Sequence, residues 1–211
     1  MWPSLPLDDA KAAERASAGV VLEILQTYGL MAAGAGADWY SEARTEAGVR
    51  GGYTPRLTVP VIVGQIAANV GWAVGPLFGE AKPDLALARL SGITQRLIAN
   101  ADRQTVLDNV RRDPARVRWY RGASARCCAF CAMLAGRGAV YRSEESGGFD
   151  AHNNCRCFPA PLFPNEQPDL PDYYANFRED YENAAEAVVK AGGKRTQSAV
   201  LAQMRVQTGR A

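Results

Sequence analysis

The sequence lacks the common signatures of catalysis. It has a single histidine, His152, among 211 residues. It contains no G-x-x-x-x-G-K-[ST] phosphate loop, no G-x-S-x-G nucleophile elbow and no H-E-x-x-H metalloprotease motif. Its scattered Asp and Glu residues are of the kind that usually form a solvated surface. We therefore expect a protein that is not an enzyme and has no small-molecule substrate.

The sequence also has little excess charge and no export signal at its start. With 24 Lys and Arg against 22 Asp and Glu, its net charge is only +2. This balance does not indicate a general nucleic-acid binder, so any such contact must be local. The opening residues, MWPSLPLDDAK, have neither the basic start nor the apolar core of a signal peptide. We therefore expect synthesis in a host cytoplasm.

One uncharged stretch has the length of a membrane span. Residues 59–79 contain no charged side chain, and about 20 apolar residues suffice to cross a bilayer. Four glycines and two prolines interrupt this stretch, and no basic cluster flanks it. We predict instead a buried helix, begun by a proline, and no membrane association. Its core stripe would be Ile62, Ile66, Val70 and Val74.

Elsewhere the first half of the chain predicts successive helices. Asp8 and Asp9 are suitable N-caps for a helix that runs to about Leu30, after which the glycines of AAGAGA should interrupt it. An amphipathic helix should follow within ADWYSEARTEAGV. Another should open at Pro83, with Leu90, Ile93 and Leu97 facing the core. Asp102 should cap a further helix that Pro114 ends or kinks.

The composition changes near Trp119, and a cysteine-rich segment follows. Residues 127–157 hold all five cysteines and the histidine. A C-x-x-C pair and an H-x-x-C pair about twenty residues apart have the spacing of a structural zinc site. We predict Zn²⁺ as a structural staple of a small α+β unit that includes a short strand at residues 139–142. The favoured ligands are Cys128, Cys131, His152 and Cys155.

The cysteine segment leaves alternatives open. Cys157 is a substitute ligand for Cys155 or His152, and Cys127 is expected to be a bystander. A disulfide framework would leave one cysteine over, and a thioredoxin-like pair would need a preceding sheet. A metal nuclease could use Asp150, His152 and Asn153, but a zinc-bound imidazole cannot also act as a general base.

An arginine-rich stretch precedes the cysteines. Seven arginines lie between Asp102 and Arg126, interleaved with Trp119 and Tyr120. Such a stretch can contact phosphates or an acidic partner surface. The alternative is local pairing with Asp102, Asp108 and Asp113. The predicted contact residues are Arg111, Arg112, Arg116, Arg118 and Arg121.

The C-terminal part is charge-segregated. Residues 159–171 are proline-rich and predict an extended surface connector. Seven acidic residues then lie within 166–186, whereas 187–211 holds five basic residues and no acidic one. We expect surface helices with a docking stripe of Tyr173, Phe177 and Tyr181, or a tail ordered only by a partner. The predicted domains are a helical region at 1–118, a zinc knuckle at 119–163 and a C-terminal helical arm at 164–211, in a mainly α fold.

Several strings of this chain resemble the MuF-like minor head proteins of tailed bacteriophages that infect actinobacteria. They are DRQTVLDNVRRDPARVRWYR, CAFCAMLAGRGAVYRS, and HNNCRC followed by Pro159 and Pro161. The upstream ADWYSEARTEAG and ARLSGITQRL extend the resemblance over roughly residues 35–163. Two departures are Cys127, which is an extra cysteine, and Asn153, where related proteins often carry proline.

The resemblance implies a function that the residues alone do not give. It implies a structural component of the virion, on the capsid interior at or near the portal vertex, that assists head assembly, DNA packaging or ejection. The implied partner is the phage portal protein, with the major capsid protein and packaged DNA as further contacts. The alternative is a zinc-containing DNA-binding module that acts through the arginine-rich segment 103–126.

Overall fold

A computed structural model of the chain describes residues 5–59, 63–79, 82–138, 149, 151–168 and 170–210. The fold is mainly helical, as predicted, with one small antiparallel sheet among the described residues. The helices are α1 (Ala10–Ile24), α2 (Leu30–Glu46), α3 (Val63–Val74), α4 (Pro76–Gly79), α5 (Pro83–Arg112), α6 (Ala129–Ala135), α7 (Tyr173–Lys190) and α8 (Gln197–Thr208), and the strands are β1 (Arg118–Gly122) and β2 (Phe158–Leu162).

The chain forms two compact units. The first comprises the described parts of residues 1–42, 53–109 and 150–154, and the second those of 43–52, 110–149 and 155–211. Each unit has its own cluster of buried hydrophobic residues. The three-part division predicted from composition stays a prediction.

The first helical run is longer than the sequence predicts. Asp9 is the N-cap of α1, as expected, and its carboxylate accepts the N–H groups of Lys11 and Ala12 at 2.9 and 3.0 Å. A π-helical turn, Leu25–Gly29, then joins α1 to α2 without a break. The prediction that the AAGAGA glycines interrupt the helix was wrong. Gly36 instead permits close packing, because a Cβ there would lie 2.6 Å from Oδ1 of Asp102 on α5.

The core of the first unit is formed by α1, α3 and α5. Ile66, Val70 and Val74 are buried on one stripe of α3, as predicted, whereas Ile62 lies outside the described residues. They pack with residues that include Val21 of α1 and Ile93 of α5. The helical run Ala10–Glu46 has the length and composition to cross a membrane, a property that core helices of soluble proteins share.

Helix α5 is a single helix of 30 residues. The prediction that Asp102 begins a new helix was wrong, because no glycine or proline separates Leu97 from Asp102. Burial raises the pKa of the Asp102 carboxyl, and the neighbouring Arg103 lowers it in part. The helix ends just before Pro114, as predicted, since the residue that precedes a proline disfavours helical backbone.

Polar side chains of α5 hold the loop that follows α2. The Asn109 amide accepts the Tyr53 hydroxyl at 2.7 Å and the Arg56 N–H at 2.8 Å. It also donates to the carbonyls of Arg56 and Thr105 at 2.9 and 2.7 Å. One turn earlier, the Thr105 hydroxyl accepts the Thr58 N–H at 3.0 Å and donates to its carbonyl at 3.1 Å. This satisfied network fixes the extended loop along the helix.

The second unit is built on the pairing of β1 with β2. The strands are antiparallel, with Tyr120 opposite Ala160 and Arg121 opposite Pro159. Prolines lack an N–H to donate, so they are tolerated in the edge strands of such a sheet. The prediction that residues 159–171 form a surface connector was therefore wrong for the part within β2, because Ala160 and Leu162 are buried.

The C-terminal helices complete the core of the second unit. Phe177 on α7 and Met204 on α8 are fully buried, in the same hydrophobic cluster as Cys131 and Cys157. The Tyr174 hydroxyl accepts the Ala123 N–H at 2.8 Å and so ties α7 to the end of β1. The tail is thus part of a folded unit, and Phe177 of the predicted docking stripe faces its interior.

Candidate metal centre

The C-x-x-C pair lies at the start of α6. Cys128 is the N-cap of this helix, and its sulfur accepts the backbone N–H of Cys131 at 3.4 Å. An N-cap acceptor satisfies a donor that the first helical turn leaves open. The same geometry directs both sulfurs to one side of the helix start. Met133 of the same helix is buried, and Gly138, just beyond the helix, adopts a left-handed backbone (φ 73°).

The second pair, Cys155 and Cys157, immediately precedes β2. The sulfurs of Cys131, Cys155 and Cys157 all lie within 4.8 Å of one another, and those of Cys131 and Cys155 are 3.4 Å apart. Each of the five cysteines is a thiol, so the structure holds no disulfide framework. This group could hold a metal ion.

His152, the remaining predicted ligand, belongs to the segment 150–154 of the first unit, whereas the cysteines belong to the second unit. His152 is exposed, and its Nδ1 lies 2.7 Å from the carbonyl oxygen of Asn153. Asp150 and the predicted strand at 139–142 lie outside the described residues.

Hydrogen bonds among the cysteine thiols and their burial raise the pKa values of Cys131 and Cys157. Hydrogen bonds with Cys128, Cys155 and Cys157, together with burial, raise the pKa of Cys131 far above the ordinary thiol value. A hydrogen bond with Cys131 lowers the pKa of Cys157, but a hydrogen bond with Cys155 and burial outweigh it and bring the pKa to about 12. Without a metal these groups therefore hold their protons at neutral pH. A divalent ion that binds them would release protons, as thiolate-binding metals do.

The group of Cys131, Cys155 and Cys157 does not include Cys127. Cys127 is buried, and burial raises its pKa to about 11, partly offset by the Arg210 guanidinium. That guanidinium donates to the Cys127 carbonyl at 3.2 Å. The bystander role of Cys127 stays a prediction.

The five predicted contact arginines differ in exposure. Arg111, Arg112 and Arg116 are exposed, and Arg118 is half-buried. Arg121 is buried, with its guanidinium carbon 3.8 Å from the centre of the Phe149 ring. Arg121 is therefore an interior residue of the second unit, on the same face of β1 as Trp119.

Asp108 and Asp113, two of the acidic residues considered as partners of these arginines, also accept hydrogen bonds from other groups. The Asp113 carboxylate accepts the Nε–H of Arg44 at 2.9 Å in a buried ion pair, and its other oxygen accepts the Ala115 N–H at 2.9 Å. Asp108 accepts the Thr58 hydroxyl and, at 2.9 Å, the Gln104 amide. The Arg44–Asp113 pair joins residues 69 positions apart, and nothing in the sequence pattern indicated it.

The donor chemistry of the cysteine group selects a soft ion. Thiolates suit zinc and iron–sulfur clusters, whereas magnesium and calcium prefer oxygen ligands. Four sulfur or mixed sulfur and imidazole ligands, arranged as a tetrahedron, are typical of structural zinc. The residues present therefore fit a structural metal that would join α6 to the start of β2.

This chain is similar in sequence to a protein family and to a bacteriophage protein. The model of a family described as VG15 protein matches residues 1–184. The Gene 15 protein of Mycobacterium phage D29 is 39% identical over 70 residues, which are 31% of this chain and 26% of that protein. This chain thus spans about a quarter of the curated relative. No solved structure matches it. These similarities support a protein of phage origin.

Proposed function

The chain belongs to the VG15 protein family, and from this premise we propose that it is a minor head protein of a tailed-phage virion, of the MuF-like type. In this proposal it has no catalytic activity and lies on the capsid interior, at or near the portal vertex. There it assists head assembly, DNA packaging or ejection. The observation that carries the proposal is the family match over residues 1–184, supported by the similarity to a mycobacteriophage protein.

The partner in this proposal is the portal protein, with the major capsid protein and packaged DNA as further contacts. The helical first unit offers exposed apolar side chains for docking, among them Tyr28, Met31 and Trp72, which are 55%, 65% and 53% exposed. Exposed large apolar groups indicate a protein contact only when they cluster, and scattered ones are ordinary surface. Their exposure alone does not identify the partner, so the choice of the portal protein rests on the resemblance to head proteins.

The ion in this proposal is zinc, in a structural role. An ion shared by the sulfurs of Cys131, Cys155 and Cys157, which lie within 4.8 Å of one another, would join α6 to the segment that precedes β2. A structural zinc ion contributes roughly 10–16 kcal/mol in small zinc-dependent folds. We therefore expect the segments around Cys128–Cys131 and Cys155–Cys157 to be ordered by metal.

Analysis of purified virions tests the head assignment. Quantitative mass spectrometry should find the chain in DNA-filled heads and in tailless heads at the same ratio to the portal protein. Cross-linking within the heads should join it to portal subunits. The chain's absence from washed heads, or its presence only in the host lysate, would contradict the proposal. The major capsid protein, measured in the same samples, is the internal standard.

The exposed arginines favour one second candidate, a zinc-containing DNA-binding module. Arg111 and Arg112 at the end of α5 and Arg116 just beyond it are all exposed. Replacing all three by Gln should then abolish DNA binding that weakens steeply with added salt, because phosphate contacts release counterions. Replacing Arg15, Arg50 and Arg205 by Gln, all exposed and outside segment 103–126, is the charge-matched control. Portal binding that survives the triple change would favour the head protein.

A further inference from the structure

Four cysteines of the second unit lie in or next to one cluster of sulfurs, an arrangement that the spacing of the sequence left open. The sulfurs of Cys131, Cys155 and Cys157 lie within 4.8 Å of one another, and those of Cys131 and Cys155 are 3.4 Å apart. Cys128 is next to this cluster, because its sulfur accepts the Cys131 N–H. In a tetrahedron with metal–sulfur bonds of about 2.3 Å, two ligand sulfurs are about 3.8 Å apart. The sulfurs of Cys131 and Cys155 are therefore close to the separation that one zinc ion would impose.

The backbone at each pair is fixed by regular structure. Cys128 and Cys131 occupy the start of α6, where the Cys131 N–H already donates to the Cys128 sulfur. Cys157 directly precedes Phe158, which pairs with Gly122 across the sheet. Cys157 is 3% exposed and belongs to the hydrophobic core of the unit. In a structural zinc site all four ligands come from the protein, and a buried thiol is suited to such a site.

A buried cation of the same unit also favours thiolates at this position. Arg121 is buried on β1, opposite Pro159 of the strand that follows Cys157. Four thiolates and one Zn²⁺ carry a net charge of −2, and burying such a charge costs less beside a cation. Arg121 is held in place by its contact with the Phe149 ring.

We propose that the metal ligands are the four thiolates of Cys128, Cys131, Cys155 and Cys157, so that Cys157 and not His152 completes the tetrahedron. Each thiol loses one proton to solvent as its sulfur–zinc bond forms, and no oxidation or reduction occurs. This inference rests on the proposed zinc ion. It is independent of whether the chain is a head protein.

Zinc X-ray absorption spectroscopy of the full-length chain, purified with added Zn²⁺, reads the ligand set directly. The expected spectrum has four sulfur neighbours at about 2.3 Å and no nitrogen neighbour at about 2.0–2.1 Å. Three sulfurs and one nitrogen would overturn the inference in favour of His152. This measurement needs no variant, so it stands even where a substitution prevents folding.

Variants give a second test. His152→Ala should keep one zinc per chain and an unchanged spectrum, and Cys127→Ser, the neighbouring-cysteine control, should do the same. Cys157→Ser should weaken zinc binding in competition with a chelator by more than the roughly 10–100-fold that loss of an outer-shell partner costs. Zinc loss from His152→Ala with retention by Cys157→Ser would overturn the ligand set. A metal-free chain with a Cys131–Cys155 disulfide would overturn the zinc proposal too, while leaving the virion assay unaffected.

Discussion

Two glycines of the same helix should respond differently to substitution by alanine. Gly34 and Gly36 both lie within α2. A Cβ at Gly34 would meet no atom within 4 Å, whereas a Cβ at Gly36 would lie 2.6 Å from Oδ1 and 3.0 Å from the backbone oxygen of Asp102. The Asp102 side chain can rotate away, but its backbone is fixed within α5. The two substitutions therefore differ only in whether a second helix stands in the way.

The expected free energies follow from this geometry. Alanine is favoured over glycine within a helix by about 0.8–1 kcal/mol, so Gly34→Ala should stabilise the first unit by roughly that amount. At Gly36 the same gain is opposed by overpacking, which typically costs about 1–3 kcal/mol. Gly36→Ala should thus range from near neutral to about 2 kcal/mol destabilising. The difference between the two variants, about 1–3 kcal/mol, isolates the packing of α2 on α5.

Hydrogen exchange measured by mass spectrometry is the appropriate assay, because the chain has two units and overall unfolding need not be a single transition. Amides of α2 and α5 should exchange more slowly in Gly34→Ala than in the unmodified chain. In Gly36→Ala they should exchange faster than in Gly34→Ala. Equal stabilisation by both substitutions would refute the close approach of the two helices at Gly36.

Three further substitutions test other parts of the fold. Asn109→Ala should destabilise the first unit by about 2–4 kcal/mol in urea denaturation, because it leaves buried partners of the amide unsatisfied; an effect below about 0.5 kcal/mol would contradict the loop anchoring. Asp102→Asn should raise the melting temperature at pH 7, because a raised pKa means that the ionised carboxylate of Asp102 disfavours folding. The stability given by the protonated carboxyl is full below its unfolded pKa and is lost as pH rises through its folded pKa. The advantage of Asn should therefore vanish near pH 3, and an advantage that persists there would contradict the titration of Asp102. Asp113→Ala should destabilise the second unit by about 3–5 kcal/mol, because it leaves the Arg44 guanidinium buried without its carboxylate. Adding Arg44→Met should recover most of this loss in thermal unfolding. A double variant that is no more stable than the single one would count against a buried pair.

The sequence predicted those elements whose cause is local. The Asp9 cap, the buried stripe of α3 and the end of α5 before Pro114 each depend on residues a few positions apart. The glycines of AAGAGA depend instead on a distant helix, because Gly36 is needed only where Asp102 packs against it. Sequence periodicity carries no information about such a contact, so the predicted helix break was wrong.

The candidate metal centre likewise combines features that local sequence predicts with features that depend on distant contacts. Spacing alone brought Cys128 and Cys131 together, because a two-residue gap at a helix start points both sulfurs one way. The choice of metal ligands among Cys155, Cys157 and His152 depends on where β2 begins. The prolines of β2 made this segment look like a connector, so the sequence did not predict the strand. The burial of Arg121 could have been inferred from its two-residue spacing from Trp119, once the segment was taken as a strand.

Native mass spectrometry of the full-length chain, co-expressed with the portal protein of the same phage genome, tests the central claim most directly, since one spectrum reports both the partner and the metal. The account predicts a complex with portal subunits that carries one zinc ion per copy of this chain. A chain that remains free of the portal protein under conditions where portal rings assemble would contradict the proposed role in the phage head.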